Sequence, residues 1–238
     1  MLDLCLKPRN SEQMTSELFT IDGKRKYLTA EEQGRFMAAA NAHERAEVRT
    51  FCLTLAYTGC RISEALQLTP ERVDLSDKSI TFRTLKQRDK IKYRSVPSPD
   101  TLLDAIELVH SVRKARRSTK LKKMALWSWG RTQATKHVWA VMQDADISGD
   151  HATPKGLRHG FGVRMAMQTR NPRLVQKLLG HSNLETTAIY MDLVGDEARA
   201  EVIGAWGLVR YSLNLVLKTE SKNTIEHSMK GWVYIISN

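Results

Sequence analysis

The chain has 238 residues and a formal net charge of +11, from 37 Lys and Arg against 26 Asp and Glu, which makes a polyanion the expected partner. No apolar run approaches the length of a membrane span and no apolar segment follows a basic N-terminus, so neither a membrane protein nor a secreted protein is expected. Three cysteines without CxxC spacing indicate a reducing compartment and argue against structural zinc.

The N-terminal third is predicted to begin with a polar arm, residues 1–27, and to continue as helices. Thr29 and Glu32 have the spacing of a capping box, in which a hydroxyl and a carboxylate each bind a free backbone N–H. Gly59 suits the end of a helix. The helices expected in this part lie at about 29–42, 44–57 and 61–68.

The middle of the chain changes to strand composition at SITF (79–82) and KYRSV (92–96), and the polar segment between them predicts a hairpin turn. Ser98-Pro99, Thr153-Pro154 and Asn171-Pro172 each predict a helix start with proline at the first helical position. Further helices are expected at about 100–112, 132–145, 155–168, 172–179, 183–191 and 196–206. The predicted fold class is therefore mainly α with a small antiparallel β-sheet (α+β).

Positive charge is concentrated in two segments. Eight Lys or Arg and no acid lie between Ser111 and Arg131, and residues 83–94 carry six Lys or Arg against Asp89 alone. A solvated face or a loose loop is the alternative interpretation of the first segment. Because neither segment has an apolar amphipathic face, the two together favour nucleic acid over an anionic membrane surface.

The chemistry that remains open is phosphodiester transfer by a tyrosine. The chain has no GxxxxGK[ST] or GxGxxG loop and no metal-ligand spacing, so no cofactor and no metal is expected. A tyrosine can attack phosphorus and hold a DNA strand covalently, arginines bind phosphate oxygens bidentately, and a lysine or histidine can protonate the departing oxygen. Such a set is present in Arg61, Lys86, Arg158, His181 and Tyr190.

These residues lie in TGCRISEAL, TLKQRDKIKYRSVP, GLRHGF and LLGHSNLETTAIY. In order and spacing the four segments resemble the tyrosine recombinase (phage integrase) family, over about residues 28–206. The resemblance implies a catalytic domain at 28–208, after the arm at 1–27 and before a tail at 209–238 whose role is unknown.

The resemblance also implies a role for each residue. Tyr190 is the expected nucleophile, which forms a 3′-phosphotyrosyl bond, and Arg61 and Arg158 are the expected clamp on the scissile phosphate. His181 is the expected hydrogen-bond donor to that phosphate, and Lys86 is the expected general acid for the 5′ hydroxyl. Taken singly, each of these residues is also typical of ordinary surface or core positions; only their joint occurrence indicates a site.

Three neighbouring residues complete the expected site. Glu64, three residues after Arg61, is expected to support it from the same helix face. Lys155 stands where the family usually has histidine; a lysine can donate a proton but is a poor base at neutral pH, so acceptance of the tyrosine proton is left open. His159 is interpreted as structural.

The expected partners are double-stranded DNA and further copies of the chain, as a homo-oligomer on DNA from dimer to tetramer. Because only about 27 residues precede the capping box, the chain resembles short recombinases such as fimbrial-switch invertases. A truncated relic is an equal alternative, and an accessory DNA-bending protein is a further candidate partner. A stripe on the helix at 196–206 is expected either to dock into a neighbouring protomer or to pack on its own subunit; it consists of Ala198, Val202, Ile203 and Trp206.

The predicted function is site-specific recombination of DNA, whether integration, excision, inversion or resolution. Two alternatives stay open: a DNA-binding regulator without catalysis, and a type IB-like DNA topoisomerase. A cytoplasmic, DNA-associated protein is expected.

Overall fold

A computed structural model of the chain describes residues 18–84, 92–191 and Val202. All of these except Val202 belong to the first of two units, Met1–Leu193. Lys86, most of the helix expected at 196–206 and the tail at 209–238 lie outside the described residues. Val202 is helical and 56% exposed.

Helices make up most of the described part, which confirms the predicted fold class. The helices are α1 Ala30–Ala42, α2 Ala46–Thr58, α3 Ile62–Ala65, α4 Asp100–His110, α5 Val112–Arg116, α6 Arg131–Asp144, α7 Pro154–Thr169, α8 Pro172–Leu179 and α9 Glu185–Met191, with short 3-10 turns at Pro70–Arg72 and Leu121–Lys123. Among residues 18–84 and 92–191, none of these helices has the length and apolar character to cross a bilayer.

The sheet has three antiparallel strands in the order β1 Val73–Asp74, β2 Ser79–Thr84 and β3 Lys92–Pro97. Ile80 pairs with Val96 and Phe82 with Arg94, and all four side chains are buried, because alternate residues of a strand share one face. The predicted antiparallel pairing of the two strands is therefore confirmed, with β1 as an additional strand, while the predicted turn lies in the undescribed residues 85–91. A two-residue strand is too short to leave a pattern in the sequence.

The predicted helix starts are confirmed at three of four sites. Thr29 Oγ1 accepts from the N–H of Glu32, whose carboxylate accepts from the N–H of Thr29 in return. Thr153 and Asn171 cap α7 and α8 by accepting from the N–H groups of Gly156 and Leu174, and each is followed by proline.

The fourth predicted start, at Ser98-Pro99, is wrong as a cap. The Ser98 N–H donates to the carbonyl of Lys78, which continues the hairpin pairing, and the Ser98 hydroxyl donates to Val96. Pro99 is the residue before the helix, and α4 begins at Asp100.

The basic segment at 111–131 is ordered, so its interpretation as a loose loop is wrong. Val112 and Ala115 of α5 are buried, and Arg116 donates to the carbonyl of Val73 in β1. These contacts attach the segment to the core beside the sheet. Its other Lys and Arg side chains are exposed or half-buried, and they are Arg113, Lys114, Arg117, Lys120, Lys122, Lys123 and Arg131.

Candidate functional site

Arg61, Arg158 and His181 of the expected site lie where α2 and α8 end. Gly59 ends α2 with φ 58° and Gly180 ends α8 with φ 66°, a left-handed backbone that glycine adopts without strain. Arg61 directly precedes α3, and His181 directly follows the end of α8. The last carbonyls of two helices carry partial negative charge, which favours cations at this place.

Arg158, in the second turn of α7, joins these two helix ends. Its Nη1 donates to the Gly59 carbonyl (2.6 Å) and its Nη2 to the Leu179 carbonyl (2.7 Å). Burial lowers the pKa of Arg158 to about 10, and the neighbouring charge of Arg61 contributes to the shift. The guanidinium therefore stays charged at neutral pH. The two bonds use one N–H each, so its other N–H groups can donate to a ligand.

Glu64 binds two further arginines. Its carboxylate accepts from the backbone N–H of Arg61 (2.8 Å), from Arg61 Nη1 (3.0 Å) and from Arg94 Nη2 (2.7 Å). Its side chain is fully buried. Burial alone would raise its pKa, but the hydrogen bond and charge of Arg94, together with the Arg61 N–H, lower it below the usual range. Glu64 is therefore an ionised support for the arginines, as the sequence predicts.

Arg94 of β3 is a site residue that the sequence interpretation missed. Besides Glu64 it binds the Leu178 carbonyl through Nε (2.8 Å), and its guanidinium lies over the ring of Phe82. Its Nη1 is buried without a hydrogen-bond partner among the described residues. The signal was present in KYRSV, since strand alternation places Arg94 on the same inward face as Val96.

Close approach of Arg94 to α8 requires Gly180. A Cβ at that position would lie 2.9 Å from Cδ of Arg94 and 3.2 Å from its Nη1. The glycine that ends α8 thus also leaves room for the third arginine of the site.

An open cavity of about 350 Å³ lies beside these arginines. Its lining includes Arg61, Lys92, Arg94 and His181, and no carboxylate is among its described lining residues. Thr84 and Lys92, the two residues that flank the undescribed segment containing Lys86, both line it. A cavity of this size with this charge fits a phosphodiester group.

His181 faces this cavity in its neutral form. Burial lowers its pKa to about 3, and the charges of Arg158 and Arg61 act in the same direction. Its Nδ1 lies 3.1 Å from the Thr187 hydroxyl in α9, which fixes the orientation of the ring. The structure thus places His181 close to Arg158 and Arg61.

Tyr190 lies in α9 beside this group, but its side chain is only 1% exposed. Its ring is stacked on that of His181, with centroids 6.1 Å apart. Its hydroxyl lies 2.8 Å from Nδ1 of His159, a contact that the interpretation of His159 as structural did not anticipate. The ring lies so close to α7 that a Cβ on Gly162 would come within 2.7 Å of it.

Lys155 is exposed in the first turn of α7, and its charge acts on His159. Burial lowers the pKa of His159 to about 3, and Lys155 and Arg158 contribute in that order. Cys60, next to Arg61, is fully buried, and burial raises the pKa of its thiol to about 12, which makes it a packing residue. Within residues 18–84 and 92–191, no three His, Cys, Asp or Glu side chains are grouped as ligands for a metal ion.

Known proteins with similar sequences are tyrosine recombinases. Tyrosine recombinase XerA of Thermococcus kodakarensis is 31% identical over 186 residues, which cover 73% of this chain and 60% of that protein. Tyrosine recombinase XerD of Corynebacterium glutamicum is 32% identical over 157 residues, which cover 62% of this chain and 49% of that protein. The chain thus spans about half to three fifths of the length of these relatives.

Solved structures share the fold. The crystal structure of XerA recombinase matches with a TM-score of 0.61 at 24% identity, over 75% of this chain and 64% of that one. The catalytic domain of bacteriophage HP1 integrase matches with a TM-score of 0.52 at 23% identity, over 74% of this chain and 92% of that one. The sequence profile of the phage integrase family covers residues 26–195. The chain therefore belongs to the phage integrase family of tyrosine recombinases.

Proposed function

We propose that this chain is a site-specific recombinase that cuts and rejoins double-stranded DNA through a 3′-phosphotyrosyl intermediate. The observation that carries the proposal is that Arg61 and His181 line one positively charged cavity, with the buried Arg158 close enough to interact electrostatically with both and Tyr190 stacked on His181. Family membership supports the same reading of these residues.

The phosphate is held by the arginines. Arg61 lines the cavity and donates one guanidinium N–H to Glu64, so its other N–H groups can bind phosphate. Arg158 is held by two carbonyls, which also leaves N–H groups for phosphate. Fixed cations stabilise the extra negative charge of the five-coordinate phosphorus, because they need no reorganisation when that charge develops. His181, neutral and held by Thr187, presents Nε2 as a hydrogen-bond donor in the tautomer that carries its proton there.

The reaction exchanges one phosphodiester for another. The Oη of Tyr190 attacks phosphorus, the bond to the 5′ oxygen breaks, and that oxygen takes a proton from a general acid. We assign the acid role to Lys86, whose flanking residues Thr84 and Lys92 line the cavity. A 5′ hydroxyl from the same or another strand then reverses the step, so strand exchange needs no nucleotide cofactor.

The DNA partner is supported by charge and by relatives. The formal charge of +11 and the exposed Lys and Arg of the basic segment at 111–131 favour a phosphate backbone. One structural neighbour, XerH recombinase, was solved bound to its difH substrate. We extend the proposal to assembly of two to four copies on DNA and to an accessory DNA-bending protein as a further partner.

The proposal is tested by trapping the covalent intermediate. A duplex that the protein binds is selected from a random library and nicked near the cleavage site, so that the cut strand diffuses away. Wild-type protein is expected to form a 3′-phosphotyrosyl adduct, and Tyr190→Phe to form none because it lacks the attacking oxygen. Tyr57→Phe, a half-buried tyrosine in α2, is the matched control.

Three results would contradict this proposal. Adduct formation by Tyr190→Phe would move the nucleophile to another residue. Absence of any adduct from the wild-type protein on a tightly bound duplex would favour the DNA-binding regulator. Relaxation of supercoiled plasmid without strand exchange would favour the topoisomerase.

A further inference from the structure

We propose that His159 accepts the proton of Tyr190 when the tyrosine attacks the phosphodiester, and returns it when the strand is rejoined. The inference rests on the proposed function, since it assumes that Tyr190 is the nucleophile. It gives a catalytic role to His159, which the sequence analysis interpreted as structural. It also assigns the acceptance of the tyrosine proton, which was left open because Lys155 is a poor base.

The first observation is a direct contact with the reacting atom. Nδ1 of His159 lies 2.8 Å from Oη of Tyr190, within the range for proton transfer between heavy atoms. His159 is 6% exposed and Tyr190 1%, so water does not compete for either group. In the tautomer with its proton on Nε2, His159 accepts the hydrogen bond and Tyr190 donates it.

The second observation is the position of His159 on α7. Lys155 and His159 are four residues apart, so their side chains emerge from the same face of the helix, one turn from each other. An ammonium group has no lone pair with which to take a proton, whereas a neutral imidazole has one. The basic nitrogen that is absent at 155 is thus present one turn further along the same face.

The surroundings decide when this nitrogen is basic. Charged groups act on His159 from two directions, Lys155 and Arg158 from its own helix and Lys26 from the N-terminal segment. The neutral His181 also lies close enough to interact with it. Burial, followed by the charges of Lys155 and Arg158, lowers its pKa to about 3. Its Nε2 is buried without a hydrogen-bond partner among the described residues, so these residues offer the charge of an imidazolium no acceptor at that nitrogen.

A bound phosphodiester reverses this balance. Its negative charge offsets Arg158 and Arg61, the cations that border the site, and therefore raises the proton affinity of the nearby imidazole. His159 thus becomes a competent base only after DNA has entered, and Tyr190 is kept protonated and unreactive until then.

The step is balanced in atoms and charge. The O–H bond of Tyr190 breaks as the N–H bond of His159 forms, and the P–Oη bond forms as the bond from phosphorus to the 5′ oxygen breaks. The 5′ oxygen receives its proton from the general acid. In the reverse step the imidazolium returns its proton to the leaving phenolate.

The variant that separates proton acceptance from simple holding is His159→Asn. The asparagine carbonyl lies about where Nδ1 lies and can accept the hydrogen bond of Tyr190, but it cannot take up the proton. We expect the variant to bind the selected duplex with wild-type affinity and to form the covalent adduct about 10²-fold more slowly or worse, the usual contribution of a general base. His137→Asn is the matched control, since His137 is a partly buried histidine of α6 whose Nε2 also has no partner among the described residues.

A second readout excludes a purely structural role. Replacement of Tyr190 by difluorotyrosine, whose phenol is more acidic, is expected to restore much of the lost rate in His159→Asn and to change the wild-type rate little. A wild-type rate in His159→Asn would overturn the proposal. A slow rate that difluorotyrosine does not restore would also overturn it, because His159 would then only position the ring.

If His159→Asn does not fold, the titration of His159 decides. In Tyr190→Phe protein, which cannot cleave, the His159 imidazole is followed by NMR with and without the duplex. The proposal requires its pKa to rise on binding, and an unchanged titration overturns it. Failure of the proposed function is recognised separately, since Tyr190→Phe would then still form an adduct.

Discussion

Glu64 is the residue on which the arrangement of charges depends. Arg61 and Arg94 both bind its carboxylate, and Arg158 lies close enough for its charge to act on it. Without a buried anion, three guanidinium groups would repel one another in a place where water screens them poorly. The same anion aligns Arg61 through its backbone N–H, so one side chain sets both the charge and the geometry of the clamp.

Glu64→Gln keeps the shape of the side chain but removes its charge. We expect unfolding free energy to fall by about 3–5 kcal/mol, the usual cost of breaking a buried ion pair, and adduct formation to slow because Arg61 loses its alignment. The measurements are denaturant unfolding and the trapping assay. Glu31→Gln is the control, because its pair with Arg35 is exposed; equal losses in the two variants would contradict the role of Glu64.

Lys86 is tested by changing the leaving group. Lys86→Ala is expected to cleave an ordinary duplex very slowly, since the 5′ oxygen then leaves without a proton. A duplex with sulfur in place of that bridging oxygen should restore cleavage, because a thiolate leaves without protonation. Lys92→Ala serves as comparison, since Lys92 lines the same cavity. Rescue of Lys92→Ala instead would assign the acid role to Lys92.

At the scale of elements, local sequence signals predicted most helix starts correctly, whereas contacts between distant residues left no signal in the sequence. The caps at Thr29, Thr153 and Asn171 depend on neighbours within three residues, and all three were predictable. Ser98 has the same local signal, but its N–H is taken by Lys78 across the hairpin. Whether a cap forms is decided here by a tertiary partner that no local pattern contains.

The candidate site divides in the same way. The proposed catalytic residues lie in short motifs and could be recognised by resemblance, whereas the contacts of Arg94 and His159 join elements far apart in the chain. Arg94 binds a carbonyl 84 positions away, and His159 meets a tyrosine 31 positions away. Such pairings follow from how β3, α7, α8 and α9 pack, which periodicity alone does not specify.

The contact between α7 and α9 is tested at Gly162. A Cβ there would lie 2.7 Å from the Tyr190 ring, so Gly162→Ala must displace a buried aromatic side chain. We expect a loss of about 1–3 kcal/mol in unfolding free energy, the usual cost of overpacking, together with altered cleavage. Gly34→Ala, in α1 with open space at the Cβ position, should instead stabilise by about 0.4–1 kcal/mol. Two changes of the same sign would contradict this account of the contact.

At the scale of the whole molecule, folding brings the cations of the site together and keeps its buried histidines neutral. The pKa values of His159 and His181 are lowered to about 3, burial being the main cause in both. The pKa of Glu32 is lowered to about 2, because its hydrogen bond and ion pair with Arg25 and the Thr29 N–H outweigh burial. These groups make the stability of the fold depend on pH in a direction that can be worked out.

Between the folded pKa near 3 and the ordinary value of 6.5, the two histidines are protonated in the unfolded chain but not in the folded one. Stability must therefore fall as pH is lowered below 6.5, by up to about 1.4 kcal/mol per pH unit for each histidine. The contribution of Glu32 is complete above 4.5 and is lost only as pH falls from there towards 2. Denaturant unfolding should show that the free energy of unfolding falls in two steps as pH is lowered. The double variant His159→Asn with His181→Asn should reduce the first step, and Glu32→Gln should reduce the second. An unchanged first loss in the double variant would mean that these histidines are not held neutral by the fold.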